Sequence, residues 1–144
     1  MKCIYCNQDT RVIDSRYNES VIRRRRECLK CKQRFTTYER ASLDLNIIKK
    51  DGRRELFNRE KLKIGLIKAC EKRPVSLEKI NDAVDYIEKS LRKLGKKEIK
   101  SKFIGDKVMQ KLKSLDNIAY IRFASVYKEF KDLDDFKEEV KKLR

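Results

Sequence analysis

With 43% of its 144 residues charged and a formal net charge of +16, the chain reads as a soluble, strongly basic protein whose partner is a polyanion, while 40% apolar residues still permit a packed core. Histidine is absent, which excludes Ser-His and Cys-His nucleophilic catalysis and every metal site that needs imidazole. No stretch approaches the roughly 18 apolar residues of a membrane span and the N-terminus carries no secretory segment, so the expected location is the cytoplasm, where thiols stay reduced.

Four of the five cysteines fall early, as Cys3, Cys6, Cys28 and Cys31, two Cys-x2-Cys pairs with twenty-one residues between them. Short alternating runs at 10–14, 21–28 and 34–38 predict brief strands around them. From residue 45 the pattern changes: LNIIKKDGRRELF is two β-prone runs about Asp51-Gly52, a hairpin signal. Asn58 then caps a helix through EKLKIGLIKACEK, ended by Pro74, and Ser76 opens a second whose stripe is Ile80, Val84, Ile87, Leu91 and Leu94, with Gly95 as its C-terminal cap. Ser101 is expected to cap a third helix with Phe103, Ile104, Val108 and Leu112 inward. Asp116 or Asn117 starts a fourth through IAYIRFASVYKEF, and a last amphipathic piece places Phe136, Val140 and Leu143 on one face. The expected architecture is α+β: a zinc-ribbon module over 1–45, then a mostly helical domain over 46–144 opened by the β-hairpin.

A Cys-x2-Cys turn brings two sulfurs to one side, so two such knuckles surround one ion tetrahedrally, and zinc suits four thiolates. The competing reading, small apolar cysteines in a core, fails because this segment has almost no other core residues. A four-thiolate site is closed to water and substrate, so one structural Zn2+ is expected, supplying the free energy that folds about 40 residues.

Residues 1–45 hold eleven Lys and Arg against six Asp and Glu, net +5, or +3 once four thiolates and a dication are counted. The positive charge is concentrated: Arg23, Arg24, Arg25 and Arg26 enter the second knuckle, with Arg11, Arg16, Lys30, Lys32 and Arg34 near them in sequence. Side chains alternate along a strand, so Arg23 and Arg25 share one side and Arg24 and Arg26 the other. The bland alternative is a solvated charged strand with Glu27 as local partner. Consecutive guanidinium forks suit phosphates and guanine edges better than solubility requires, so these nine residues are the candidate nucleic-acid contacts. DNA and RNA both remain open on residues alone; few exposed aromatics are expected, which weighs against single strands.

VIDSR, RRRREC-x2-C-x2-RFTTYE, KRPVS and AYIRFASVYKEF together resemble the NrdR family of bacterial repressors of ribonucleotide reductase genes, across nearly the whole chain. Ile4 and the short YNES stretch depart from the pattern. The resemblance implies a DNA-binding zinc ribbon and, over about 46–136, an ATP-cone that senses ATP and dATP, with a homo-oligomeric state that follows the nucleotide and nucleoid association when bound to promoter DNA. It also implies nucleotide contacts at Ile47, Lys49, Glu55, Phe57, Asn58, Lys61 and Leu62. Lys49 and Lys61 could meet phosphates, Glu55 and Asn58 the sugar or base, and Ile47, Phe57 and Leu62 a purine. Tyr120 and Arg122 are read as core and interface, Tyr127 as a further candidate beside the nucleotide, and Cys70 as buried and inert. No P-loop is present, so binding without hydrolysis is expected, and the chain is expected not to be an enzyme. Two other classes stay in view: an RNA-binding ribbon with a helical interaction domain, and a fragment of a reductase that carries such a cone.

Overall fold

The computed structural model describes residues 1–18 and 21–143, which divide into two compact units, 1–42 and 43–144. In the first, β1 (Thr10–Asn18), β2 (Val21–Cys28) and β3 (Arg34–Arg40) form an antiparallel sheet in the order β1-β2-β3. The outer strands run longer than the apolar alternation predicts, because pairing with β2 carries the ladder on through polar residues as far as Asn18↔Val21 and Val21↔Arg40. Glu19 and Ser20 of the short YNES stretch lie outside the described residues. Ile13 bulges out of β1, so Val12 stands opposite Arg26 while Asp14 stands opposite Arg25. Among the described residues of this unit the buried apolar groups are Cys3, Cys28 and Phe35, with Cys6 packed against them. A core of that size does not hold a sheet by itself, and three of its four members are candidate ligands.

The second unit begins with the hairpin of β4 (Asn46–Ile48) and β5 (Arg54–Leu56). Lys49 N–H donates to the Arg53 carbonyl at 2.8 Å, and Gly52, at φ +84, supplies the left-handed residue that closes the turn. Leu45, on the near side of the expected boundary, is buried in this unit's core. A third strand, β6 (Glu98–Lys100), pairs parallel to β4 on its other side, giving the order β5-β4-β6.

Among the described residues five helices follow the predicted order: α1 (Arg59–Ala69), α2 (Leu77–Lys93), α3 (Ser101–Leu115), α4 (Asn117–Tyr127) and α5 (Leu133–Lys141). Asn58, Ser76 and Asp116 cap as expected, each side chain accepting a first-turn N–H, worth about 1 kcal/mol apiece. Ser101 is not a cap; it is the first residue of α3, and Lys100 precedes it without a side-chain bond. In α2 the stripe Ile80, Val84, Ile87 and Leu91 is buried, but Leu94 lies past the last turn and is exposed. Helix α1 stops at Ala69 rather than continuing to Lys72, with Lys72 in the left-handed region at φ +57. That turn delivers Arg73 to Asp116, bonded through Nε at 3.0 Å and Nη2 at 3.0 Å. Asp116 therefore caps α4 and ties it to the α1–α2 connection.

Of the face expected of the last helix, Phe136 and Leu143 are half-buried and Leu143 packs against the core, whereas Val140 is corrected. Val140 is exposed and Glu139 is the buried residue of α5. Its carboxylate takes the Tyr120 hydroxyl, Lys128 Nζ at 2.8 Å and Lys142 Nζ at 3.1 Å. Three donors satisfy the carboxylate, which is what lets a charged group stay buried there.

Candidate functional site

The four knuckle cysteines converge. Their Sγ atoms all lie within 4.8 Å of one another, with Cys3–Cys31 at 3.7 Å and Cys6–Cys28 at 3.5 Å. A tetrahedron with Zn–S bonds of about 2.3 Å has edges of about 3.8 Å, so the donor set fits zinc as it stands. Local backbone builds each knuckle: Tyr5 N–H donates to Cys3 Sγ and Cys31 N–H to Cys28 Sγ, both at 3.4 Å. Asn7 and Lys32, each directly after its Cys-x2-Cys, turn the chain through the left-handed region at φ +56 and +59. Burial raises the Cys28 thiol, yet donation from the N–H groups of Cys31 and Lys30 and from neighbouring thiols outweighs it and holds Cys28 down to about 6. At Cys31 the Gln33 N–H lowers the thiol, but burial and the other three sulfurs push it up to about 12. Four sulfurs this close cannot all ionise unless a cation joins them.

The sheet sorts the nine basic candidates. Register places Arg11 and Arg34 opposite Glu27, and Arg16 opposite Arg23, so these four share one face with Arg25. Arg11 and Arg16 are five residues apart and would otherwise point to opposite sides; the bulge at Ile13 brings them together. On this face Glu27 is buried between Arg11 (2.7 Å) and Arg34 (2.9 Å), and hydrogen bonds from Arg11 and then Arg34 lower its pKa. Arg16 pairs with Asp14. Arg23 and Arg25 have no acidic partner among the described residues. Arg24 and Arg26 lie on the opposite face, where Arg24 pairs with Glu39 at 2.7 Å and Arg26 donates to Thr37 Oγ1 at 3.1 Å. Lys30 and Lys32 sit exposed on the second knuckle. Glu27 is thus the local partner of Arg11 and Arg34, not of the four-arginine run. The expectation of few exposed aromatics is corrected: Tyr5, Tyr17 and Tyr38 are all exposed, and Tyr38 stands opposite Arg23.

In the second unit a cleft of about 550 Å³ opens between the β4–β5 hairpin, α1, α3 and α4. Ile47, Lys49, Glu55, Phe57, Asn58, Lys61, Leu62 and Tyr127 all line it. Glu55 holds Lys49 Nζ at 3.0 Å and Lys61 Nζ at 3.4 Å, and hydrogen bonding to Lys49 foremost lowers its pKa. Asn58 spends its Oδ1 on the Lys61 N–H, which leaves its NH2 as the group able to donate. The far wall, where Ser101, Gly105, Phe123 and Val126 line the same cleft, is not among the expected contacts. The Tyr127 ring stacks on Phe123 and packs against Gly105, and its hydroxyl donates to the Lys102 carbonyl at 2.9 Å. Burial foremost, then Asp106, pushes the phenol up to about 12. Lys50 bridges to Glu129 across the mouth at 3.1 Å. Cys70 lies outside this cleft, buried in the core with its pKa raised by burial.

Comparison with known proteins matches residues 1–39 to the family described as the transcriptional repressor NrdR-like N-terminal domain, and residues 45–133 to the ATP cone domain. Among curated relatives, the Transcriptional repressor NrdR of Petrotoga mobilis is 58% identical, spanning 100% of this chain and 99% of its own length. Those of Desulforapulum autotrophicum and Clostridioides difficile are 55% and 54% identical over 99% of this chain, covering 89% and 95% of their own lengths.

Proposed function

This chain belongs to the NrdR family of transcriptional repressors, and from that membership we propose that it represses ribonucleotide reductase operons by binding promoter DNA through its zinc ribbon, under control of ATP and dATP bound in the cone. Its relatives' name describes a regulator rather than an enzyme. The observation that carries nucleotide control is the gathering of eight expected contact residues around one cleft. Phosphates entering there compete with Glu55 for Lys49 and Lys61, and the N-terminus of α1 adds a favourable dipole for anions. Ile47, Phe57 and Leu62 supply apolar surface for a base, and the Asn58 NH2 supplies a donor.

On the DNA side, Arg23 and Arg25 stand on one sheet face and form no ion pair among the described residues, the nearest register partner being Asp14, which pairs with Arg16. The metal holds that face rigid. Because a ligand shifts an equilibrium only by its differential affinity, ATP and dATP act by favouring different homo-oligomeric states, and the state decides whether several ribbons reach paired half-sites together.

The test is binding of the full chain to duplex DNA from upstream of a ribonucleotide reductase operon, with ATP, with dATP and with structured RNA as competitor. Tight duplex binding that changes with the nucleotide supports the reading. Preference for RNA would replace it with the RNA-binding ribbon, to which the exposed tyrosines would then belong, and reductase turnover would replace it with an enzyme fragment.

A further inference from the structure

The chain has only four glycines, and three have a reason within the molecule. Gly52 and Gly95 occupy the left-handed region at φ +84 and +60, where other residues are strained. Gly105 lies under the Tyr127 ring, and a Cβ there would overlap the ring. Gly65 has no such reason. It sits inside helix α1, where glycine lowers helix stability relative to alanine, and a Cβ built on it meets no heavy atom within 4 Å.

What Gly65 does have is a position. It lines the cleft on the same face of α1 as Asn58, Lys61 and Leu62, one to two turns further along. It also lines an adjoining apolar groove, which shares Phe123, Val126 and Tyr127 with the cleft. The residue is half-buried, although among the described residues nothing lies within 4 Å of a Cβ placed on it. We infer that Gly65 is a nucleotide-binding contact: it keeps the α1 backbone bare so that the bound adenine nucleotide packs directly on it, in space that any side chain would occupy. This rests on the cleft being the nucleotide site.

Steric exclusion by an open position has a signature that packing lacks. The ligand-free protein should gain, and only the complex should lose. Titration calorimetry with ATP and dATP on the full-length wild type, Gly65→Ala and Gly65→Leu is the measurement, accompanied by thermal unfolding and light scattering of the ligand-free proteins. Gly65→Ala should unfold at the same temperature as the wild type or higher and bind at least tenfold more weakly, and Gly65→Leu should bind more weakly still. Equal binding by all three proteins overturns the inference while leaving the nucleotide site intact, whereas a wild type that binds neither nucleotide overturns the site itself. A ligand-free Gly65→Ala that unfolds several degrees lower overturns the inference in favour of internal packing. Loss of self-association with binding retained overturns it in favour of contact with a second copy.

Discussion

Replacing Arg23 and Arg25 together with glutamine tests the face assignment quantitatively. Both stand on the same side of the sheet as Arg11, Arg16 and Arg34, and both lack an acidic partner among the described residues. Each phosphate contact contributes about 0.9 to the slope of log affinity against log salt, so losing two should flatten it by about 1.8. A fourfold rise in salt would then cost the wild type about twelve times more affinity than it costs the variant. The matched control is Arg24→Gln with Arg26→Gln, which removes the same formal charge from the opposite face, where Glu39 and Thr37 already hold those side chains. That pair should change the slope by less than half as much. The assay is fluorescence anisotropy on one duplex at several salt concentrations, with zinc content measured on each variant. Equal flattening by the two pairs would refute the reasoning, because charge would then matter without regard to face.

Cys28→Ser should abolish metal binding and unfold residues 1–42, because Cys28 is both ligand and core; nucleotide binding by residues 43–144 should persist, and calorimetric loss of both would contradict separate cores. Glu139 gives a pH dependence. Burial raises its pKa, but Lys128, Tyr120 and Lys142 outweigh that and bring it from 4.5 to about 2. A depressed folded pKa means the contribution is complete above about pH 4.5 and is lost as pH falls toward 2, on the order of 3 kcal/mol in all. Glu139→Gln should therefore be less stable near neutrality in urea unfolding, with a penalty that shrinks toward pH 3; a constant penalty would argue against the charge.

Much of this was legible in the residues because it is local. Cys-x2-Cys places sulfurs through a four-residue turn, strand alternation separates Arg23 from Arg24, and the stripe Ile80–Val84–Ile87–Leu91 needs only helical geometry. What stayed hidden depends on partners distant in sequence. β6 is three residues long with only Ile99 buried, and its partner strand begins about fifty residues earlier. The common face of Arg11 and Arg16 depends on a bulge that composition does not announce. Glu139 reads as a solvated helix residue until Tyr120 and Lys128 are seen beside it. The far wall of the cleft exists because Tyr127 meets Gly105, twenty-two residues away on another helix, and no periodicity links them.

If the nucleotide in the cleft governs how the ribbons engage DNA, the assembly state must change with the ligand. Light scattering of the full chain with ATP and then with dATP, each with and without promoter duplex, addresses it directly. Two different masses are expected for the two ligands, with stable DNA complexes in only one of them. Identical masses and identical DNA binding with ATP, dATP and no nucleotide would contradict it.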